Sequence, residues 1–144
     1  MSFSHAPLVT DLTPLAKETL TTLQVSHCPG IRDITPVKEM PGLTSLGLTG
    51  TGVNDLTPLA GNNKLQRLWV EEAQVKSLKP LADMPNLKSL DLRKAAVADK
   101  DFTPITKLPA LKTLVIDVNP TTAPLIKKIV TLETLNNKPV GPPK

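Results

Sequence analysis

The sequence predicts an α/β right-handed solenoid, with a curved parallel sheet on its concave face and short 3₁₀ or α turns on its convex face. Three observations predict it. The stretch Leu65–Asn86 (LQRLWVEEAQVKSLKPLADMPN) places apolar residues at Leu65, Leu68, Val70, Val75, Leu78, Leu81 and Met84. The same lattice returns upstream at Leu43, Leu46, Leu48, Val53, Leu56 and Leu59, and downstream at Leu87, Leu90, Leu92, Val97, Phe102, Ile105 and Leu108. Self-similarity at about 22 residues marks a stacked-repeat architecture. Within each copy the apolar period switches from strand-like alternation to a short helical return. The proline content, 15 residues, also keeps register: Pro14, Pro36, Pro58, Pro80 and Pro104 each follow Thr or Lys and precede an aliphatic residue.

The first copy is incomplete. Met1–Glu18 lies over Leu23–Glu39, with Met1 where Leu23 stands and Phe3 where Val25 stands, so the chain is expected to begin inside a strand. A solenoid end without a polar cap is a liability, and the expectation is a piece of a longer protein. The alternative is a short natural protein whose first strand is a weak edge. The second copy, Leu20–Gly42, carries one extra residue near Pro29-Gly30. The third (Leu43–Lys64) and fourth are regular, and the fifth (Leu87–Ala110) has two additional residues in Ala98–Asp101.

The sixth copy starts normally at Leu111, Leu114 and Ile116. It then places Leu125, Ile126, Ile129 and Val130 at helical spacing, with Pro124 suited to a helix start. Leu132 and Leu135 begin one more strand-like turn. The organisation predicted is one domain over 1–135, about six repeats with a C-terminal cap at 120–135, followed by a tail at 136–144.

Inside a copy, Leu-x-x-Leu-x-Leu reads as a short strand whose aliphatics point inward. The segment that follows, Val-x-Asp-Leu-Thr-Pro-Leu, is not expected to be a strand. Thr57 is expected to cap and Pro58 to open a single helical turn, and likewise at Thr13-Pro14, Thr35-Pro36 and Thr103-Pro104; Lys79 replaces the cap in one copy.

Bulk properties set limits. The chain has 144 residues and is 40% hydrophobic, enough for a continuous core. No apolar run reaches the length of a membrane span, and MSFSHAPLVTDL lacks the basic and apolar regions of a signal peptide, making the cytoplasm the default compartment. One cysteine, Cys28, excludes an internal disulfide and reads as an inert core thiol. A formal charge of +4 is mild.

These residues carry a resemblance. The chain resembles leucine-rich-repeat proteins, specifically the 22-residue class of bacterial internalins and of a regulatory subunit of a eukaryotic protein phosphatase. The Asp-Leu-Thr-Pro-Leu-Ala segments at 11–16 and 55–60 look bacterial in style and are similar to repeats appended to serine/threonine kinases in some environmental bacteria. The ending at 134–139 looks like the close of such arrays. The resemblance implies a turn asparagine after each strand, yet that position holds Ala6, Cys28, Thr51, Ala73, Ala95 and Asn119. Alanine cannot bond turn backbone, so the expectation is a modestly stable array whose turns find other partners.

Strand alternation assigns the concave face. One column is Thr22, Ser45, Arg67, Ser89 and Thr113; the next is Gln24, Gly47, Trp69, Asp91 and Val115; the third is Ser4, Ser26, Thr49, Glu71, Arg93 and Asp117; toward the turn lie His5, His27, Gly50, Glu72, Lys94 and Val118. Trp69, the only tryptophan, points outward at mid-array beside a hollow expected at Gly47. An indole flanked by Arg67, Glu71, Asp91 and Arg93 has the composition of an interface hot spot; the alternative is a tryptophan lying flat over Gly47 as packing. Glu71 with Arg93, and Glu72 with Lys94, read as cross-strand ion pairs.

The mixed signs argue against nucleic acid. His5 and His27 should stand about 5 Å apart but lack a third metal ligand, and Asp99 with Asp101 is too common a pair to assign calcium. No spacing suggests a nucleophile with a base, and Gly50-Thr51-Gly52 lacks the setting of a nucleotide loop. The functional expectation is therefore a non-catalytic module that recognises a protein or peptide on its concave face, with no cofactor and no metal. Two alternatives stand beside it: a structural segment self-associating as a homo-oligomer through the open N-terminal edge, and a sensor appendage of a larger kinase-like bacterial protein.

Overall fold

The computed structural model describes residues 1–129 and 131–140. Its main sheet has eight strands in the order β1 (Ser2–Ser4), β2 (Thr22–Ser26), β3 (Ser45–Gly47), β4 (Arg67–Trp69), β6 (Ser89–Asp91), β8 (Thr113–Val115), β9 (Thr134–Leu135) and β10 (Lys138–Pro139). All neighbours pair parallel except β9 with β10. The register follows the repeat: Leu23, Leu46, Leu68, Leu90 and Leu114 face one another across successive strands. Each is at most 1% exposed, so the leucine column is the spine of the core. Burying such a side chain contributes about 1.5–3 kcal/mol before entropy is charged against it.

The helical returns form where the prolines place them, as 3₁₀ turns at Thr13–Leu15, Thr35–Glu39, Thr57–Leu59, Lys79–Leu81 and Thr103–Lys107. The expected capping role of threonine is corrected. None of these turns has a side-chain cap at its N-cap position; instead the carboxylate two residues before each threonine accepts that threonine's backbone N–H. Asp11, Asp33, Asp55 and Asp101 do so at 2.7–2.9 Å. In the copy with Lys79, the Ser77 hydroxyl takes the carboxylate's place at 3.1 Å. The bonds lower the pKa of all four aspartates, the threonine hydroxyl being the larger cause and the N–H the second. A charged acceptor stabilises its own ionised form when donors converge on it.

A second correction concerns the segment after the strand. In two copies it does form a ladder, with β5 (Gln74–Val75) pairing parallel to β7 (Ala96–Val97).

The turn after each of the first five strands of the main sheet passes through a left-handed residue. His5, His27, Gly50, Glu72 and Lys94 all have φ between 53° and 62°. Their N–H groups bond the next repeat: His5 to the Ser26 carbonyl, His27 to Thr49, Gly50 to Glu71 and Glu72 to Arg93, at 2.8–3.0 Å. Lys94 instead donates to the Asp117 carboxylate at 2.9 Å, where the sixth copy departs from the pattern. This ladder stands in for an asparagine ladder. Where the turn residue is Ala73 or Ala95, its own N–H closes on Val70 or Leu92. Thr51 donates its hydroxyl to the Leu48 carbonyl at 2.8 Å, and buried Cys28 points its thiol at the Ser26 carbonyl. Among the described residues no buried side-chain nitrogen or oxygen lacks a partner.

The helical spacing after Asn119 yields a single α turn, α1 (Ala123–Ile126). Its entry is built by buried Thr122, whose hydroxyl donates to the Asp117 carbonyl and accepts the Asn119 N–H. Ile126 and Ile129 are buried and Leu125 is half-buried, while Val130 lies outside the described residues. The chain does not leave the fold at Asn136, contrary to the expected tail. Asn136 and Asn137 both take positive φ, 50° and 62°, the conformation of a tight hairpin turn, and return the chain into β10. The Asn136 side chain also accepts the Ile116 N–H at 2.9 Å. The rest of the expected tail, 141–144, lies outside the described residues.

Candidate partner-binding face

Parallel pairing brings the predicted face residues together in rows. Ser45, Arg67 and Ser89 are in register, as are Gly47, Trp69 and Asp91. Trp69 is half-buried and sits between Gly47 and Asp91; Arg67, two residues before it on β4, is exposed. The hollow expected at Gly47 is not there. A Cβ on Gly47 would overlap the Gln24 side-chain amide, so Gln24 lies across this glycine from β2 and fills the space. Sequence reasoning placed Gln24 on this face but missed its reach across Gly47. The signal was present: a strand glycine marks close approach by a neighbour, and the long polar side chain one strand away is the candidate.

Asp91 also departs from expectation. It is only 4% exposed, and it is wrapped by Arg93, whose Nε contacts both carboxylate oxygens at 3.1 Å and whose terminal nitrogen contacts one at 2.7 Å. The same nitrogen reaches Glu71 at 3.3 Å. Asp91, first by hydrogen bonding and then by charge, raises the Arg93 pKa further above its ordinary value. Asp91 thus fixes Arg93 and presents little of itself to solvent. Lys94 pairs with Glu72 at 2.8 Å, which lowers the Glu72 pKa and raises that of Lys94. Arg67 is different. It donates Nε to the buried Ser45 hydroxyl at 2.8 Å, and among the described residues it has no acidic partner.

His5 and His27 stack with ring centroids 4.7 Å apart and planes 24° from parallel, as their equivalent positions predict. His27 also covers Gly50, where a Cβ would come within 2.6 Å of Nδ1. Among the described residues, no three His, Cys, Asp or Glu side chains gather as a metal site. Asp99 and Asp101 each accept a backbone N–H of the long turn. A hollow of about 340 Å³ opens beside the face, lined by Pro29, Arg32, Gly52, Glu72 and Gln74 among others.

No protein-family model matches the sequence, and a search of curated proteins finds no match. Solved structures do match. The chain is similar to an internalin (inlF) of Listeria monocytogenes, with 27% identity and a TM-score of 0.72, over 90% of this chain and 37% of that one. It is also similar to an internalin C2 (inlC2) of the same organism, with 28% identity and a TM-score of 0.58, over 88% of this chain and 65% of that one. Its fold is that of an internalin-like leucine-rich-repeat solenoid. The chain spans less than two thirds of either internalin's length. The internalin-like array thus has the expected solenoid fold, and its bacterial style agrees with its structural neighbours. The likeness supports a protein-interaction module in general. Among the described residues no helix is long and apolar enough to cross a membrane.

Proposed function

We propose that the sheet face binds a protein or peptide partner, with Trp69 as the anchor and Arg67, Glu71 and Arg93 as the polar surround. One observation carries this reading: the only indole of the chain is half-exposed at the middle of the array, beside a guanidinium with no acidic partner among the described residues. Half-buried tryptophan and arginine together are what interface hot spots are made of. Asp91 and Gly47 act indirectly here, Asp91 by holding Arg93 and Gly47 by admitting Gln24 beside the indole. The chemistry is rigid-surface recognition without a covalent step. A displayed peptide library selected on the wild-type protein and counter-screened on Trp69→Ala tests it. Selected peptides should lose about thirtyfold in affinity for the variant, the effect of removing a hot spot. Peptides that bind both proteins equally would remove Trp69 from the site.

A second reading, self-assembly through β1, is favoured by the apolar N-terminal end of the sheet. β1 is the terminal strand, Leu8 is 93% exposed, and Met1 is 54% exposed. Molar mass rising with concentration, and abolished by Leu8→Asp, is the result this reading requires.

A further inference from the structure

The sheet face is electrically lopsided along the strand direction. Exposed Lys64, Arg67, Lys88 and Lys112 stand at or just before the strand starts. Of these, only Lys112 has an acidic partner among the described residues, Glu133 at 2.8 Å. Lys64 donates to the Pro41 carbonyl and Arg67 to the Ser45 hydroxyl, neutral acceptors that leave both charges uncancelled. At the strand ends the acids Glu71, Glu72, Asp91 and Asp117 outnumber Arg93 and Lys94, and both of those cations are already engaged. Trp69 lies between the two rims.

From Arg67 to Glu71 is about 13 Å along an extended strand. That exceeds the screening length of about 8 Å at physiological salt, so the two ends of a bound segment feel the two rims separately. A basic segment would meet carboxylates that already hold Arg93 and Lys94. An acidic one meets a guanidinium with a terminal fork to spare and a neighbouring ammonium, the geometry that carboxylates take best. We propose that the face binds an extended acidic–apolar segment of a partner protein, with its carboxylates over Arg67 and Lys88 and its apolar side chain on Trp69. The acid excess at the strand ends repels the reverse placement. This inference rests on the sheet-face reading above and adds the partner's chemistry and its direction.

The test uses two synthetic peptides with the same leucine–phenylalanine core, one preceded by an aspartate block and the other by a lysine block. Binding is followed by calorimetry and by Trp69 emission, against Arg67→Glu/Lys88→Glu. A charge-matched control, Lys38→Glu/Lys107→Glu, lies on the convex turns. All four positions are exposed or half-exposed, and circular dichroism and melting check that both variants remain folded. The aspartate peptide should bind and shift Trp69 emission. It should weaken at least about tenfold in the face variant, the effect of losing hydrogen bonds to charged groups, and less than about twofold in the control. Failure of the aspartate peptide to bind, equal loss in both variants, or a lysine peptide that binds as tightly would each overturn the inference. A bound aspartate peptide that leaves Trp69 emission unchanged would overturn the sheet-face reading as well.

Discussion

Seven residues occupy one structural position, and their exposure differs along the array. Met1 is 54% exposed, Leu23, Leu46, Leu68, Leu90 and Leu114 are at most 1% exposed, and Leu135 is half-buried. The chemistry is nearly constant while the neighbours change. A central residue is covered by a repeat on each side, and a terminal one by a repeat on one side only. The two ends are finished differently. The C-terminal end turns back through Asn136 and Asn137 so that β10 pairs with β9, whereas β1 pairs with β2 on one side and has no strand on its other edge among the described residues. Stability in such an array is a sum of intrinsic and nearest-neighbour contributions, so the same substitution should cost most in the middle.

The largest expected effect follows directly. Leu68→Ala should cost about 3–5 kcal/mol in denaturant unfolding, as deletion of a fully buried leucine does, while Leu135→Ala should cost about 1 kcal/mol because half of its burial is absent. Equal losses would break the contrast. Next comes Arg93→Met, which strips the cation from nearly buried Asp91 and should cost about 2 kcal/mol. The peripheral counterpart, Lys112→Met, removes an exposed partner of Glu133 and should stay below about 1 kcal/mol.

Two glycines sharpen the comparison on a smaller scale. Gly50 and Gly61 both have positive φ, +62° and +69°, but a Cβ on Gly50 meets the His27 ring while one on Gly61 meets nothing within 4 Å. Gly61→Ala should cost about 1 kcal/mol for the left-handed backbone alone, and Gly50→Ala should melt lower than Gly61→Ala. The smallest effect is pH-linked. The folded-state pKa values of Asp33 and Asp55 are depressed, so their contribution is present above the unfolded value of about 3.9 and is lost as pH falls through the folded values. Asp33→Asn/Asp55→Asn keeps the acceptors and removes the titration. Its stability should therefore fall less steeply than wild type below about pH 4, as read by urea midpoints.

The leucine column, the proline turns and the strand register were legible because each is a periodic signal repeated about six times. Pairs such as Leu46 with Leu68 follow from counting. The cap was misread for a physical reason: Thr-Pro looks like a cap followed by a first helical residue, but the aspartate two positions earlier is a charged acceptor that takes the threonine N–H. It also draws the threonine hydroxyl as a donor, so the hydroxyl faces the carboxylate and not the helical turn. The face was less legible because side-chain reach across strands has no period. The alternation put Gly47 beside Trp69 but carried no information on Gln24 folding over it, and it placed Asp91 outward without showing how fully Arg93 would enclose it. The hairpin was hidden because Asn-Asn-Lys-Pro at 136–139 reads as the end of order, although two left-handed residues are what a tight turn requires.

The long turn of the fifth copy has a practical meaning. Leu90 and Leu114 face each other across 24 positions of sequence, whereas Leu46 and Leu68, like Leu68 and Leu90, do so across 22. The surplus is absorbed in Ala98–Asp101, where Lys100 takes φ +53° and Asp99 and Asp101 tie down the backbone that follows. Added length there has left the stacking of the strands in step. That bend is accordingly the graft point of the scaffold, where a tag, a reporter loop or a second recognition sequence can be spliced in without disturbing the surface that carries Trp69.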